Sequence, residues 1–169
     1  MGFDSSKSLG GVGAILVAIG SFVPVLAIVG IILVLIGMKG LSDAYGEEAI
    51  FKNALYGLIF EIVAAAALFF VFIGALFGGL ATLEPMTFLA GFGLALIVAF
   101  IFFVVAAYFY KKSFDMLSSK SGERLFGTAG LLLLIGAVLT IILVGSLVML
   151  IAWILAAVAF FSLKPPTST

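Results

Sequence analysis

The chain contains neither cysteine nor histidine. Without thiols there are no disulfides, no Fe–S clusters and no thiol nucleophile, and nothing in the sequence reports on a redox compartment. Without histidine, the commonest general base and the commonest transition-metal ligand are both missing. Charge is scarce too: eight basic and eight acidic residues make up 9% of the 169, and the formal net charge is zero. A nucleic-acid partner is therefore not expected, because nothing supplies the basic surface that phosphates require. No glycine-rich loop follows a strand, and no nucleophile, base and orienting group stand together. The chain does not read as an enzyme, and no catalytic residue, metal site or cofactor is expected.

What is abundant is apolar. Hydrophobic residues make up 65% of the sequence, and the mean hydropathy is +1.45. A soluble domain is about half apolar and about a quarter charged. These numbers describe an all-α integral membrane protein, with membrane lipids as its first partners. From Leu9 to Met38 the chain carries no charge. As one helix that run would span about 45 Å, against a hydrocarbon core of about 30 Å. Gly20, Ser21 and Pro24 interrupt it, so it reads as two short helices folded back on each other, with Pro24 in the first turn of the second.

The same design returns near the C-terminus. Set against Leu125, the run from Leu9 pairs Gly11 with Gly127 and Gly20 with Gly136; with one residue dropped at the turn, Gly30 pairs with Gly145. The small residues recur every seven positions: Gly13 and Gly20 against Ala129 and Gly136, then Gly30, Gly37 and Ala44 against Gly145, Ala152 and Ala159. Seven residues are nearly two helical turns, so each set lies along one face. In lipid, helices associate where small residues let the backbones approach. Gly74 and Gly78 add a further close-packing motif.

The expected architecture is a single transmembrane domain over residues 1–169. Its six transmembrane helices, at about 6–22, 24–41, 47–80, 86–112, 124–143 and 145–163, form three hairpins, the first and third related as parallel repeats. Gly46-Glu47 and Gly122-Glu123 open the third and fifth helices. With six crossings, all eight basic residues fall on the side shared by both termini; with four they are divided. The positive-inside rule thus selects six crossings in the cell membrane, with both termini cytoplasmic. Tyr45, Tyr56, Tyr108 and Tyr110 fall at the same interface. The first helix is short, and a re-entrant first hairpin fits the same charges.

Glu61 is the one charge inside a span. A charge at that depth is costly unless it faces protein or water. Its own face carries Asn53, Gly57, Ala64 and Ala65, and a hairpin turning near Glu84 puts it level with Ala106 or Ala107. Tyr108 and Tyr110 then lie within about a turn. Glu61, Asn53, Tyr108 and Tyr110 are the candidate binding residues.

Two stretches carry a family resemblance. LGGVGAILVAIGSFVPVLAIVGIILVLIGMKGLSDAYGEEAIFKNALYG and SGERLFGTAGLLLLIGAVLTIILVGSLVMLIAWILAAVAFFSL resemble the opening and close of a family of small prokaryotic membrane proteins, frequent in archaea. It is known as domain of unknown function nine hundred and ninety-six. The most specific matches are Gly37-Met38-Lys39-Gly40-Leu41-Ser42 and Glu123-Arg124-Leu125-Phe126. The resemblance implies a cell-membrane location and transfers no functional residue. Two functional readings stand side by side. One is a structural or interaction protein that self-associates, as a homo-oligomer, through small-residue packing. The other is a transporter or channel for a small solute, proton or cation with Glu61 in the pathway.

Overall fold

Two glycines with positive φ, Gly46 (65°) and Gly122 (76°), turn the chain at one end of the molecule. Each sits just past a helix, where only a residue without a Cβ takes the left-handed conformation at little cost. The Gly46 N–H donates to Asp43 O and the Glu47 N–H to Ser42 O, a Schellman closure of the helix before them. After Gly122, the Glu123 carboxylate accepts from the Leu125 N–H, so an acidic side chain opens the next helix at its positive end.

The computed structural model describes residues 2–82, 85–142 and 144–166. These form six helices: α1 (Phe3–Gly20), α2 (Pro24–Tyr45), α3 (Glu48–Thr82), α4 (Pro85–Ser121), α5 (Leu125–Leu139, continued by a 3-10 turn Thr140–Ile142) and α6 (Val144–Ser162). Among the described residues there is no strand. Leu83 and Glu84 of the expected turn, Leu143, and the tail Thr167–Thr169 lie outside the described residues. Pro24 occupies the first turn of α2, where its missing N–H costs nothing. The fourth helix runs on to Ser121 instead of stopping near 112. Phe114 and Leu117 stay on its buried face, and the i,i+4 pair of Lys111 with Asp115 lies along it.

Each helix packs on its neighbour in sequence, and α1 packs on α6, so the six close into a ring. Glycine makes the last contact possible. A Cβ on Gly10 would stand 2.5 Å from the Phe160 ring, and one on Gly11 the same distance from Phe161. Two hydrogen bonds tie that end: Lys7 Nζ donates to Leu163 O (3.0 Å) and Tyr45 Oη to Lys164 O (2.7 Å).

The core lies near this end. Phe114, Phe126 and Phe160 are fully buried; Phe160 meets both of the others edge to face, and Trp153 stands beside Phe114. Met38, Leu41, Ile50 and Leu117 complete it. Ser113, also fully buried, donates to Ile50 O across α3 and α4.

Five helical segments are long and apolar enough to cross a membrane: Pro24–Tyr45, Glu48–Gly78, Leu89–Ser121, Leu125–Ile142 and Val144–Ser162. α1 is not among them. The central pair, 35 and 37 residues long, is far longer than the helices of the outer hairpins.

The small-residue seams are used within the chain. A Cβ on Gly13 would lie 2.6 Å from Gly30 O and Val34 N, and one on Gly37 2.6 Å from Gly10 N. Gly20 meets Ala27, whereas Gly136 meets Gly145 and Met149. Positions that pair in the sequence alignment thus find different partners, and the two hairpins pack in different registers. Ala129, Ala152 and Ala159 are fully buried. Among the described residues, no atom of a neighbouring helix lies within 4 Å of where a Cβ on Gly74 or Gly78 would stand.

Candidate functional site

The stripe Asn53, Gly57, Ala64 is the buried face of α3, spaced at helical repeats so that it points at α4. At its centre Gly57 makes room for a ring. A Cβ there would stand 2.9 Å from Tyr110 Cδ1 and Cε1. On its other side the Tyr110 ring meets Trp153 of α6 edge-on, with centroids 6.0 Å apart. Held between two elements, Tyr110 donates its hydroxyl hydrogen to Glu61 Oε2 at 2.9 Å. Glu61, one turn beyond Gly57, is thereby fixed against α4.

Beyond this pair a cleft opens beside α3 and α4. About 660 Å³ in volume, it is walled by Ala64, Ala65 and Leu68 of α3, by Leu96, Ile97, Ala99, Phe100 and Phe103 of α4, and by Thr140 and Ile141 at the end of α5. Leu68, Leu96, Ile97 and Ile141 are themselves exposed, so the cleft opens sideways on the helix surface. Its polar groups are the Glu61 carboxylate and the Thr140 hydroxyl. Thr140 Oγ1 donates to Gly136 O at 2.9 Å, and its oxygen remains an acceptor. An apolar cavity with a few converging polar groups is the usual form of a small-molecule site.

Of the four residues expected here, the structure brings two together. Asn53 lies two turns away from the cleft; its amide donates to Ala49 O (2.6 Å) and lies 3.4 Å from Met116 Sδ. Tyr108 is exposed and packs edge-on against Phe109. Thr140, by contrast, was not singled out by the sequence. It comes from another hairpin, and its one local signal is that it is a hydroxyl in an otherwise apolar run.

The helices and the cleft define a multi-helix protein of membrane-spanning composition, built as a closed ring around an aromatic core. The chain belongs to the family described as "Protein of unknown function (DUF996)", whose model matches residues 26–154. It is 35% identical over 167 residues to "Uncharacterized protein MJ1644" of Methanocaldococcus jannaschii, covering 96% of this chain and 94% of that protein. No solved structure matches.

Proposed function

We propose that this is an integral membrane protein that binds an amphiphile in the cleft beside Glu61. The apolar body of the ligand lies against Leu68, Leu96, Ile97 and Phe100, and a cationic or hydrogen-bond-donating head meets the carboxylate. The observation that carries this reading is the Glu61–Tyr110 pair at the inner end of a cleft that is otherwise almost wholly apolar. The sideways opening suits a ligand dissolved in lipid. A conducting pathway finds less support: toward Asn53 the way from Glu61 is filled by the Tyr110 ring seated on Gly57, and outward it meets Leu68, Ile97 and Ile141. Self-association through the glycine seams finds less support as well, because most of those seams close within the chain.

The test is binding of a fluorescent long-chain alkylamine, with the matching alcohol as control, to the protein in lipid nanodiscs. A hydrogen bond to a charged group contributes about 1.5–3 kcal/mol, so Glu61→Gln weakens amine binding by about 10- to 100-fold and leaves the alcohol nearly unchanged. Equal amine affinity in wild type and Glu61→Gln overturns the proposal.

A further inference from the structure

Two landmarks set the depth of this molecule in a bilayer. The ion pairs Lys39–Asp43 and Lys52–Glu48 are exposed, and Lys111–Asp115 is partly so, so their helices meet water or head groups at those levels. Just beyond them on the central hairpin stand the exposed Tyr56 and Tyr108, whose amphipathic rings suit a membrane interface. From the two tyrosines, α3 continues to Thr82 and α4 to Pro85, a rise of about 35–39 Å at 1.5 Å per residue. That exceeds a hydrocarbon core of about 30 Å by an amount that tilting absorbs. The central hairpin is long enough to cross.

Measured from the same level, the other four helices end well short of the far side. Contacts carry the tyrosine level across the ring. Tyr110 meets Trp153 of α6, from which α6 has only about 14 Å of helix left before Val144. A Cβ on Gly130 of α5 would stand 3.0 Å from Lys111 Cα, and from Gly130 to Ile142 the rise is about 18 Å. Phe114, about 6 Å below Tyr110, meets Phe160. Phe160 fills the space at Gly10, and Gly10 meets Gly37 of α2. From Gly37 to Pro24 is about 20 Å, of which about 6 Å lies below the tyrosines. Both outer hairpins therefore stop about 14–18 Å above the tyrosine level. The α4 side agrees: Ile141 shares the cleft with Leu96 and Ile97, still about 17 Å short of Pro85.

The turns themselves are built for hydrocarbon. Large apolar side chains stand exposed on them: Phe22 (78%), Val25 (67%), Ile141 (71%) and Leu147 (63%). In the α1–α2 turn, backbone N–H groups find partners close by in the chain. The Ser21 N–H donates to Ala18 O, those of Phe22 and Val23 to Ile19 O, and that of Leu26 to Val23 O. Irregular backbone at membrane depth requires such internal partners. Setting these turns at the far interface instead would draw the three ion pairs into hydrocarbon. It would also push about 20 Å of the central hairpin, with Phe69, Phe70, Phe77 and Leu89 exposed, into water.

We propose that α1–α2 and α5–α6 are half-depth hairpins. They sit in the leaflet on the basic face with their turns near the bilayer midplane, and only α3–α4 crosses. The partner of the exposed turns is the acyl-chain layer itself. The placement holds whether or not the Glu61 cleft takes a ligand.

Because the chain has no cysteine, single cysteines report cleanly. Nitroxide labels are placed one at a time at Phe22, Ile141, Met86 and the exposed Ser119 of the full-length protein in phosphatidylcholine vesicles. Power saturation with oxygen and with a water-soluble nickel chelate reads the depth of each. Labels at Phe22 and Ile141 are expected to lose nickel collisions and keep oxygen collisions, while those at Met86 and Ser119 collide with nickel. Val25 and Leu147, equally exposed at the same turns, repeat the measurement if either first site perturbs the fold. Nickel access at either turn equal to that at Met86 overturns the proposal.

Discussion

The Tyr110 hydroxyl bridges α4 to α3 through one hydrogen bond while its ring fills the space left by Gly57. The two contributions separate by substitution. Tyr110→Phe keeps the ring contacts with Gly57 and Trp153 and loses about 0.5–1.5 kcal/mol; Tyr110→Ala empties the space and costs about 3–5 kcal/mol. Denaturant unfolding in detergent reads both, and equal losses would show that the ring contributes nothing. Half of this site was legible in the sequence. Glu61 stands out because an intramembrane charge demands a protein or water environment, and counting residues across a hairpin puts Tyr110 within reach. The same count could not separate Tyr110 from Tyr108, since α4 is apolar on every side at that depth and periodicity does not say which face meets α3. Asn53 shares the face of Glu61 but lies too far along the helix, where Ala49 O and Met116 take its amide.

Among elements, glycine means two different things. Gly13 lies in a seam where an added Cβ would press on the backbone at Gly30 and Val34, atoms that move only if the helices separate. Gly74 lies on an exposed stretch of α3 with open space around it. Gly13→Ala is expected to destabilise by about 1–3 kcal/mol through overpacking. Gly74→Ala is expected to be neutral or to stabilise by up to about 1 kcal/mol, because alanine favours the helix. Thermal unfolding of the two variants side by side checks this; equal effects would remove the packing argument. The helix ends at Gly46 and Gly122 follow from local chemistry and were readable in advance. The registers of the outer hairpins were not: Gly20 and Gly136 match in sequence yet meet Ala27 and Gly145. Interhelical register depends on side chains such as Met149, which seats against Gly136.

For the whole molecule, the half-depth placement puts six helices in one leaflet and two in the other. A body with that shape expands the leaflet on its basic face. Reconstituted with the basic face outward, the protein is expected to be enriched per lipid in small vesicles over large ones, because the outer leaflet of a small vesicle is the expanded one. Fluorescence of labelled protein on size-sorted vesicles measures this, and equal density at all sizes would contradict it. Closure of the ring enters here too. Gly10→Leu blocks the Phe160 ring from α1 and is expected to loosen α1 from α6 and raise protease access at Lys7.

Composition alone set the helical, lipid-compatible character of the chain, and local signals set much else. The interruption at Gly20 and Pro24, the glycine-acid pairs at 46 and 122, and the spacing of the basic residues placed three hairpins with their basic residues at one end. Those signals act within a few residues, so they survive without a fold. Depth and closure do not. Which residue of α6 stands level with Tyr110, and whether α1 reaches α6, depend on Trp153 and Phe160 meeting partners far away in sequence. In helices apolar all round, no amphipathic pattern records that rotation and register, so packing alone decided how deep each hairpin reaches and where the Glu61 cleft opens.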